Sequence, residues 1–442
     1  MRYHIFQIDN KYCLVDGESA DIYSVPQGIA EKVMKNNFDI NKLEEYITKR
    51  STLVEETRIE KNKKCHRLTI NITNQCNLAC RYCYANCGDY KQDSLPEIER
   101  RSVENAIRQT IELYPEGINL IQLFGGEPLL AGRKLEKIIN IIKAVCEEKA
   151  VQVPMFGMVT NGTLIDDETA KFLVNNLVSI TISLDGSEVV NDFNRRFPGE
   201  NGQGVYQKVK EAVRLLRKHK TDFFIKCECT VTAENIRDYI QNGKQDNLYH
   251  AIFNDIGFNS CLCNPVFGND NPEISLDKID LDIVSEYFDS FICGQIHDEE
   301  GKLKDIRDIY RIIQVLRKKT SPKNQCGANN TDLAVDVMGN LYPCFMFIGE
   351  EKYKIANVND CDLKEITKRY SEIMDELELA NNNVTCNDCW AKRFCSTTCG
   401  NCIGARHLAN GTIKAPIERN CQIGKRILER FLWEAVRFQT SK

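Results

Sequence analysis

Between residues 66 and 300 short apolar runs recur at 67–73, 118–124, 153–159, 178–184, 223–231 and 251–258, and an amphipathic stretch follows each. Val103, Ala106, Ile107, Thr110, Ile111 and Tyr114 fall on one helical face, as do Leu135, Ile138, Ile139, Ile142 and Val145. Six strand-then-helix units in a row predict a parallel α/β sheet wound right-handedly, a partial (β/α)6 barrel over residues 65–300. In such folds chemistry collects at the C-terminal ends of the strands. Upstream the pattern differs. Residues 3 to 9 and 11 to 15 alternate as two strands around Asn10-Lys11, Pro26 precedes a helical repeat of Ile29, Val33 and Met34, and Leu43, Tyr46 and Ile47 suggest a second helix. Residues 1–60 therefore read as a small β-then-α module, joined by a polar linker from Glu55 to Lys64. Downstream, a helical stretch from Leu303 to Leu316 makes 301–325 a bridge, and 326–442 a further domain.

Length and charge narrow this picture. At about 150 residues per domain, 442 residues fit two or three domains. Lys plus Arg number 58 and Asp plus Glu 63, a net charge of −5 that offers no electrostatic grip on nucleic acid or an anionic membrane. No segment has the roughly 18 uninterrupted apolar residues of a membrane span, and the N-terminus lacks a signal-peptide core, so a soluble cytoplasmic protein is expected. The 21 cysteines change the picture most. In a reducing compartment dense thiols ligate metal or do redox chemistry rather than form a disulfide framework.

The first dense run is Cys76-Asn77-Leu78-Ala79-Cys80-Arg81-Tyr82-Cys83, directly after the first barrel strand. Three thiolates at a strand end can hold three irons of a four-iron cluster and leave the fourth open, whereas structural zinc takes four ligands. A zinc knuckle or three unrelated thiols are the alternatives. With Tyr82 as the aromatic before the last cysteine, the run resembles the signature of radical S-adenosylmethionine (SAM) enzymes. Further matches fall in order at strand ends: Gly125-Gly126-Glu127, where the resemblance implies contacts to the SAM amino group, then Asn161, Ser183 and Arg195, which it implies for ribose or carboxylate contacts. It also implies that the cluster and SAM together generate a hydrogen-abstracting 5′-deoxyadenosyl radical. Tyr90 reads as surface.

The second dense region runs Cys326, Gly339, Cys344, then Cys386, Cys389, Cys395 and Cys399, and finally Cys421. It resembles the seven-cysteine SPASM domain of peptide- and protein-modifying radical SAM enzymes. That resemblance implies an auxiliary cluster I on Cys326, Cys344 and Cys399 and an auxiliary cluster II on Cys386, Cys389, Cys395 and Cys421, for three 4Fe-4S clusters in all. Cluster I is one thiolate short. Either its iron is open, the favoured expectation, or Cys402 chiefly, with Cys293 or Cys361, fills the position. Zinc remains the alternative metal. On the fifth strand the alternation places Cys227 and Cys229 on the apolar face, and Cys261 and Cys263 are expected at the rim of the site.

Residues 1–60 resemble, by pattern, the winged-helix precursor-recognition module of ribosomal-peptide maturases, whose strand edge would take a leader peptide. Together the three parts imply a maturase that crosslinks a precursor peptide, most simply through Cys thioethers, with a flavodoxin- or ferredoxin-like reductant as partner. Oxidation of Cys or Ser as in sulfatase maturases is a rival. In those enzymes an Asp base follows the second cysteine of the domain, and here Phe345 follows Cys344. A carbon–carbon or carbon–oxygen crosslink is another, and a non-catalytic iron-sulfur or zinc protein a third.

Overall fold

The computed structural model describes residues 3–8, 10–35, 55–57, 64–90, 96–199, 204–245, 247–269, 271–296, 307–322, 326–329, 331–360, 362–380, 384–395 and 402–440. The N-terminal strands β1 (Tyr3–Ile8), β2 (Lys11–Asp16) and β3 (Asp21–Val25) form an antiparallel meander, and the helix Gln27–Met34 follows Pro26. The expected hairpin is present. The third strand was not anticipated, because its apolar content is three residues and Asp16, Ser19 and a left-handed Ala20 build a turn in front of it. The second helix expected through Leu43, Tyr46 and Ile47 lies outside the described residues.

Next come β4 (Glu55–Thr57) and β5 (Cys65–Thr73), then the other barrel strands β6 (Ile118–Gly125), β7 (Met155–Thr160), β8 (Ser179–Ser183), β9 (Phe224–Val231) and β10 (Ser260–Pro265). The six strands β5 to β10 lie side by side in chain order and all parallel. Leu68, Ile70 and Ile72 of β5 and Ile121 and Leu123 of β6 meet the helix faces read from the sequence, including Val103, Ile107, Ile139 and Ile142. Each such buried aliphatic side chain contributes about 1.5–3 kcal/mol.

The sixth strand corrects the sequence reading. Residues 250–256 are helical with wide π-type turns, Ala251, Ile252 and Ile256 buried, and Gly257 closes the turn at φ 85°. A short apolar run cannot separate a strand from a buried helix by period alone, and the strand proper starts after that glycine.

After β11 (Thr320–Pro322), which pairs with β4, the chain enters the cysteine-rich C-terminal part. There β12 (Asp332–Val335) pairs in parallel with β5, and β13 (Asn340–Tyr342) and β14 (Ala356–Asn357) continue antiparallel, so β5 to β10 and β12 to β14 form one nine-stranded sheet. The N-terminal meander docks on this C-terminal part. Phe6, Cys13 and Val15 share a core with Ile292, Ile312, Trp390 and Leu432, the His4 ring stacks on Trp390 at 4.1 Å, and His4 Nε2 bonds Glu429 at 2.6 Å. Among the described residues no helix is long and apolar enough to cross a membrane.

Candidate iron-sulfur and SAM site

The loop after β5 carries Cys76, Cys80 and Cys83, and three neighbours hold it. From the end of β6, Gly126 N donates to Thr73 O at 2.8 Å and Glu127 N to Gln75 O at 2.8 Å. The glycines are there because the loop lies directly on them: a Cβ on Gly126 would stand 2.3 Å from Gln75 O, and one on Gly125, at φ 147°, 2.4 Å from Thr73 O. From the end of β7, Asn161 Nδ2 donates to Asn77 Oδ1 at 2.9 Å and reaches Cys76 Sγ at 3.9 Å. From the helix Glu188–Asn194, carbonyls at the C-terminal end take Arg81 N and Arg81 Nε.

The three thiols stand within electrostatic range of one another. Burial pushes Cys76 up to about 11 and Cys80 up to about 12; neighbouring thiols add to the rise, while the Leu78 N–H opposes it at Cys76 and the Arg195 guanidinium at Cys80. Backbone N–H groups already aim at sulfur, Leu78 N at Cys76 Sγ (3.4 Å) and Cys87 N at Cys83 Sγ (3.2 Å). Among the described residues no three His, Cys, Asp or Glu side chains gather closely enough to hold one metal ion. Soft thiolates that are convergent but spaced suit an iron-sulfur cluster, whose irons separate its ligands, and binding it would release their protons.

Around the thiols the strand-end residues take definite partners. Glu127 is fully buried, and its carboxylate accepts Thr160 Oγ1 (2.6 Å), Asn161 N (2.7 Å) and Leu129 N (3.0 Å), so here it fixes the end of β7. Arg195 forms a bidentate pair with Asp185, Nε and Nη2 each at 3.0 Å, and Tyr82 Oη donates to the same carboxylate at 2.5 Å. The Arg195 guanidinium also lies over the Tyr82 ring. Asp185, which reads as a turn residue, thus organises Tyr82 and Arg195; an acid two residues past Ser183 and ten before an arginine was the available signal. Ser183 ends β8, with Glu228 opposite it in register. The buried Asn194 holds Arg81 through its carbonyl, and its side-chain Oδ1 accepts from Thr232 Oγ1 at 3.1 Å.

The barrel interior continues from this site toward the second cysteine set. Glu228 accepts Asn264 Nδ2 at 3.1 Å, and burial raises its carboxyl while Arg195 and Arg67 oppose the rise. Tyr84, edge-on to Tyr90, is within electrostatic range of both Glu228 and Cys344, and Tyr90, read as surface from the sequence, is half-buried against the core. Cys326, Cys344 and Cys402 form one described group, and Cys386, Cys389 and Cys421 another. Cys395 follows the turn Ala391–Phe394, and Cys399 and Cys361 lie outside the described residues. Cys293 sits in the helix Leu281–Ile296. Cys261 and Cys263 are not on the site face: they alternate with Leu262 and Asn264 and stand in register with Cys227 and Cys229, their sulfurs 3.7 Å apart, against the outer core.

Comparison with known proteins agrees with this geometry. The radical SAM superfamily model matches residues 70–241, and the SPASM model, described as an iron-sulfur cluster-binding domain, matches 326–390. A cysteine-type anaerobic sulfatase-maturating enzyme of Clostridium perfringens (strain 13 / Type A) is 26% identical over 344 residues, 74% of this chain and 86% of that one. The solved structure of anSMEcpe with bound AdoMet superposes with a TM-score of 0.68 at 21% identity, covering 86% of this chain and 96% of the other. Streptococcus suis SuiB bound to precursor peptide SuiA gives 0.51 at 15% identity, covering 95% and 98%. At these identities the two structures speak for the fold. Residues 70–241 are thus a radical SAM domain and residues 326–390 a SPASM domain, and together they make the chain a radical SAM enzyme whose domains imply SAM and iron-sulfur clusters as cofactors.

Proposed function

We propose that this enzyme crosslinks a ribosomally made precursor peptide, joining a cysteine sulfur to carbon as a thioether, with three 4Fe-4S clusters, one on Cys76, Cys80 and Cys83 and two in the C-terminal domain. The observation that supports the reading is that the two cysteine-bearing regions are linked electrostatically: Tyr84 is within range of both Cys344 and Glu228, and Glu228 is within range of Arg195 and Asp185 at the first site. When bound, SAM and its cluster would supply hydrogen abstraction from carbon, and an auxiliary cluster would take the one electron left when the deprotonated sulfur joins that carbon. The chain's part is to hold the peptide, exclude water and accept the thiol proton, and the half-buried Glu228 carboxylate, with its raised proton affinity, suits the last task.

Of the SAM contacts, Gly125, Gly126, Glu127, Asn161, Ser183 and Arg195 are assigned on family resemblance, with Tyr82 and Asp185 keeping Arg195 in place. The N-terminal meander is assigned to leader recognition, because its outer strand has a free edge in the described residues and the SuiB structure holds a precursor peptide. A cytoplasmic setting with a flavodoxin- or ferredoxin-like reductant completes the reading. Similarity to a sulfatase-maturating enzyme favours oxidation of a single Cys or Ser as the second reading. Against it, the residue after Cys344, where the resemblance implies an acidic base in those enzymes, is here Phe345, packed on Phe124 at 5.0 Å.

The test is the mass of a cysteine-containing precursor after anaerobic incubation with enzyme, SAM and reductant, read together with thiol alkylation. Loss of two hydrogens and of one alkylatable thiol per event is expected. Two hydrogens lost with every thiol still alkylatable would mean a crosslink without sulfur.

A further inference from the structure

The second cysteine group contains a thiol for which the seven-cysteine pattern has no place. Cys326 precedes the turn that leads into β12, and Cys344 ends the segment after β13; Arg67 on β5 lies within electrostatic range of both. Cys402 arrives from a distant part of the chain at the start of the helix Ile403–Asn410. That helix presses on the turn Phe345–Phe347: a Cβ on Gly404 would meet Met346 Cβ at 2.4 Å, so only glycine lets the first helical turn lie against the residues following Cys344. This contact sets Cys402 beside Cys344, and its thiol is within electrostatic range of both Cys344 and Cys326.

Cys402 also occupies the helix N-cap, where Ala405 N donates to its sulfur at 3.4 Å. An N–H donor and the positive end of a helix both favour a thiolate there. One turn later Arg406, 1% exposed, donates through Nη2 to Cys386 Sγ at 3.8 Å, so this short helix touches both auxiliary groups at once. Cys293, the other described competitor, is carried on a helix whose neighbouring Ile292 and Ile296 are sunk in the apolar core under the N-terminal meander.

We propose that Cys402 is a protein ligand of auxiliary cluster I beside Cys326 and Cys344; with the Cys399 that the family resemblance implies, the iron expected to be open then carries a protein thiolate. A cluster closed in this way does not take a substrate thiolate, and the substrate sulfur is held by the chain instead. The inference rests on the superfamily assignment and on cluster I, and not on which bond the enzyme forms.

The experiment uses the full chain, reconstituted anaerobically, with SAM in excess to occupy the first cluster. Iron content and the electron paramagnetic resonance of the reduced auxiliary clusters are recorded with and without excess free L-cysteine as the probe thiolate, for the native chain, Cys402→Ala, Cys402→Ser and Cys293→Ala. The expected result is a native spectrum that L-cysteine leaves unchanged. Cys402→Ala should either respond to L-cysteine or lose about four irons per chain, and Cys402→Ser should keep the iron with an altered spectrum. A native spectrum that shifts with L-cysteine, or a Cys402→Ala protein identical to native in iron and spectrum, overturns the proposal, as does a Cys293→Ala spectrum that changes while Cys402→Ala does not. The peptide mass measurement is untouched by any of these outcomes, so the two readings fail separately.

Discussion

Glu228 shows how much a single side chain's direction decides. Strand alternation puts it opposite Cys227 and Cys229, inside the barrel, where Asn264 holds one carboxylate oxygen. Replacing it by Gln keeps the shape and removes the proton acceptor, so Glu228→Gln should lower peptide product by about 10²-fold or more while SAM cleavage persists. Burial raises its proton affinity, so native product formation should fall as pH drops through a value above the ordinary glutamate range of about 4.3. Rate against pH for both proteins checks this; an unchanged Glu228→Gln rate removes the residue from the chemistry. Gly126 poses a steric question. An added methyl would meet the backbone of Gln75 and Cys76, which has no flexible end to give way, so Gly126→Ala should cost about 1–3 kcal/mol and deplete iron from the first site. Gly28, in an open helical position, is the control: Gly28→Ala should gain up to about 1 kcal/mol, measured as a rise in Tm. The cysteine spacing and the glycine pair were legible in the sequence because local chemistry fixes them. Asp185 was legible only as a turn residue with an arginine ten positions on, since its role comes from Tyr82 and Arg195 meeting on its carboxylate in the fold.

Among the elements, β12 makes the C-terminal domain part of the barrel. Its Asp332 takes His66 Nδ1 at 2.9 Å and the guanidinium of Arg67, both on β5. Burial pushes the Asp332 carboxyl up, but the His66 hydrogen bond and the Arg67 charge outweigh it and hold it below the usual carboxylate range. A carboxyl lowered on folding contributes stability above its unfolded value of about 3.9, and that contribution disappears as pH falls through the folded value. Acid should therefore weaken this joint, and Asp332→Asn should lower native stability at neutral pH and flatten its acid dependence, as thermal unfolding between pH 3 and 7 would report. Equal slopes for the two proteins would contradict the role. No pattern within residues 332–335 says that they pair with β5, because parallel neighbours far apart in sequence leave no local mark. The shifted sixth strand has a different origin: an apolar helix and an apolar strand look alike over seven residues.

At the scale of the whole molecule, three cysteine-bearing segments and the N-terminal meander converge on one body. The meander is pinned by His4 on Trp390 and by Lys319, whose amine reaches Asp21 at 2.6 Å, so it is a built-in part of the enzyme and a platform near the C-terminal domain. Hydrogen exchange of the full chain with a leader peptide should show protection concentrated in the edge strand Asp21–Val25, and protection elsewhere alone would leave the meander as a structural cap. The central claim is that the loop after β5, held by Gly126 and Asn161, is where SAM is cleaved. The most direct measurement is 5′-deoxyadenosine release under anaerobic reduction by the native chain and by Cys76→Ala, with iron content of both. The account predicts release by the native protein and none by Cys76→Ala, whose iron falls by the share of one cluster while the auxiliary clusters remain. Reductive cleavage of SAM by Cys76→Ala would contradict it.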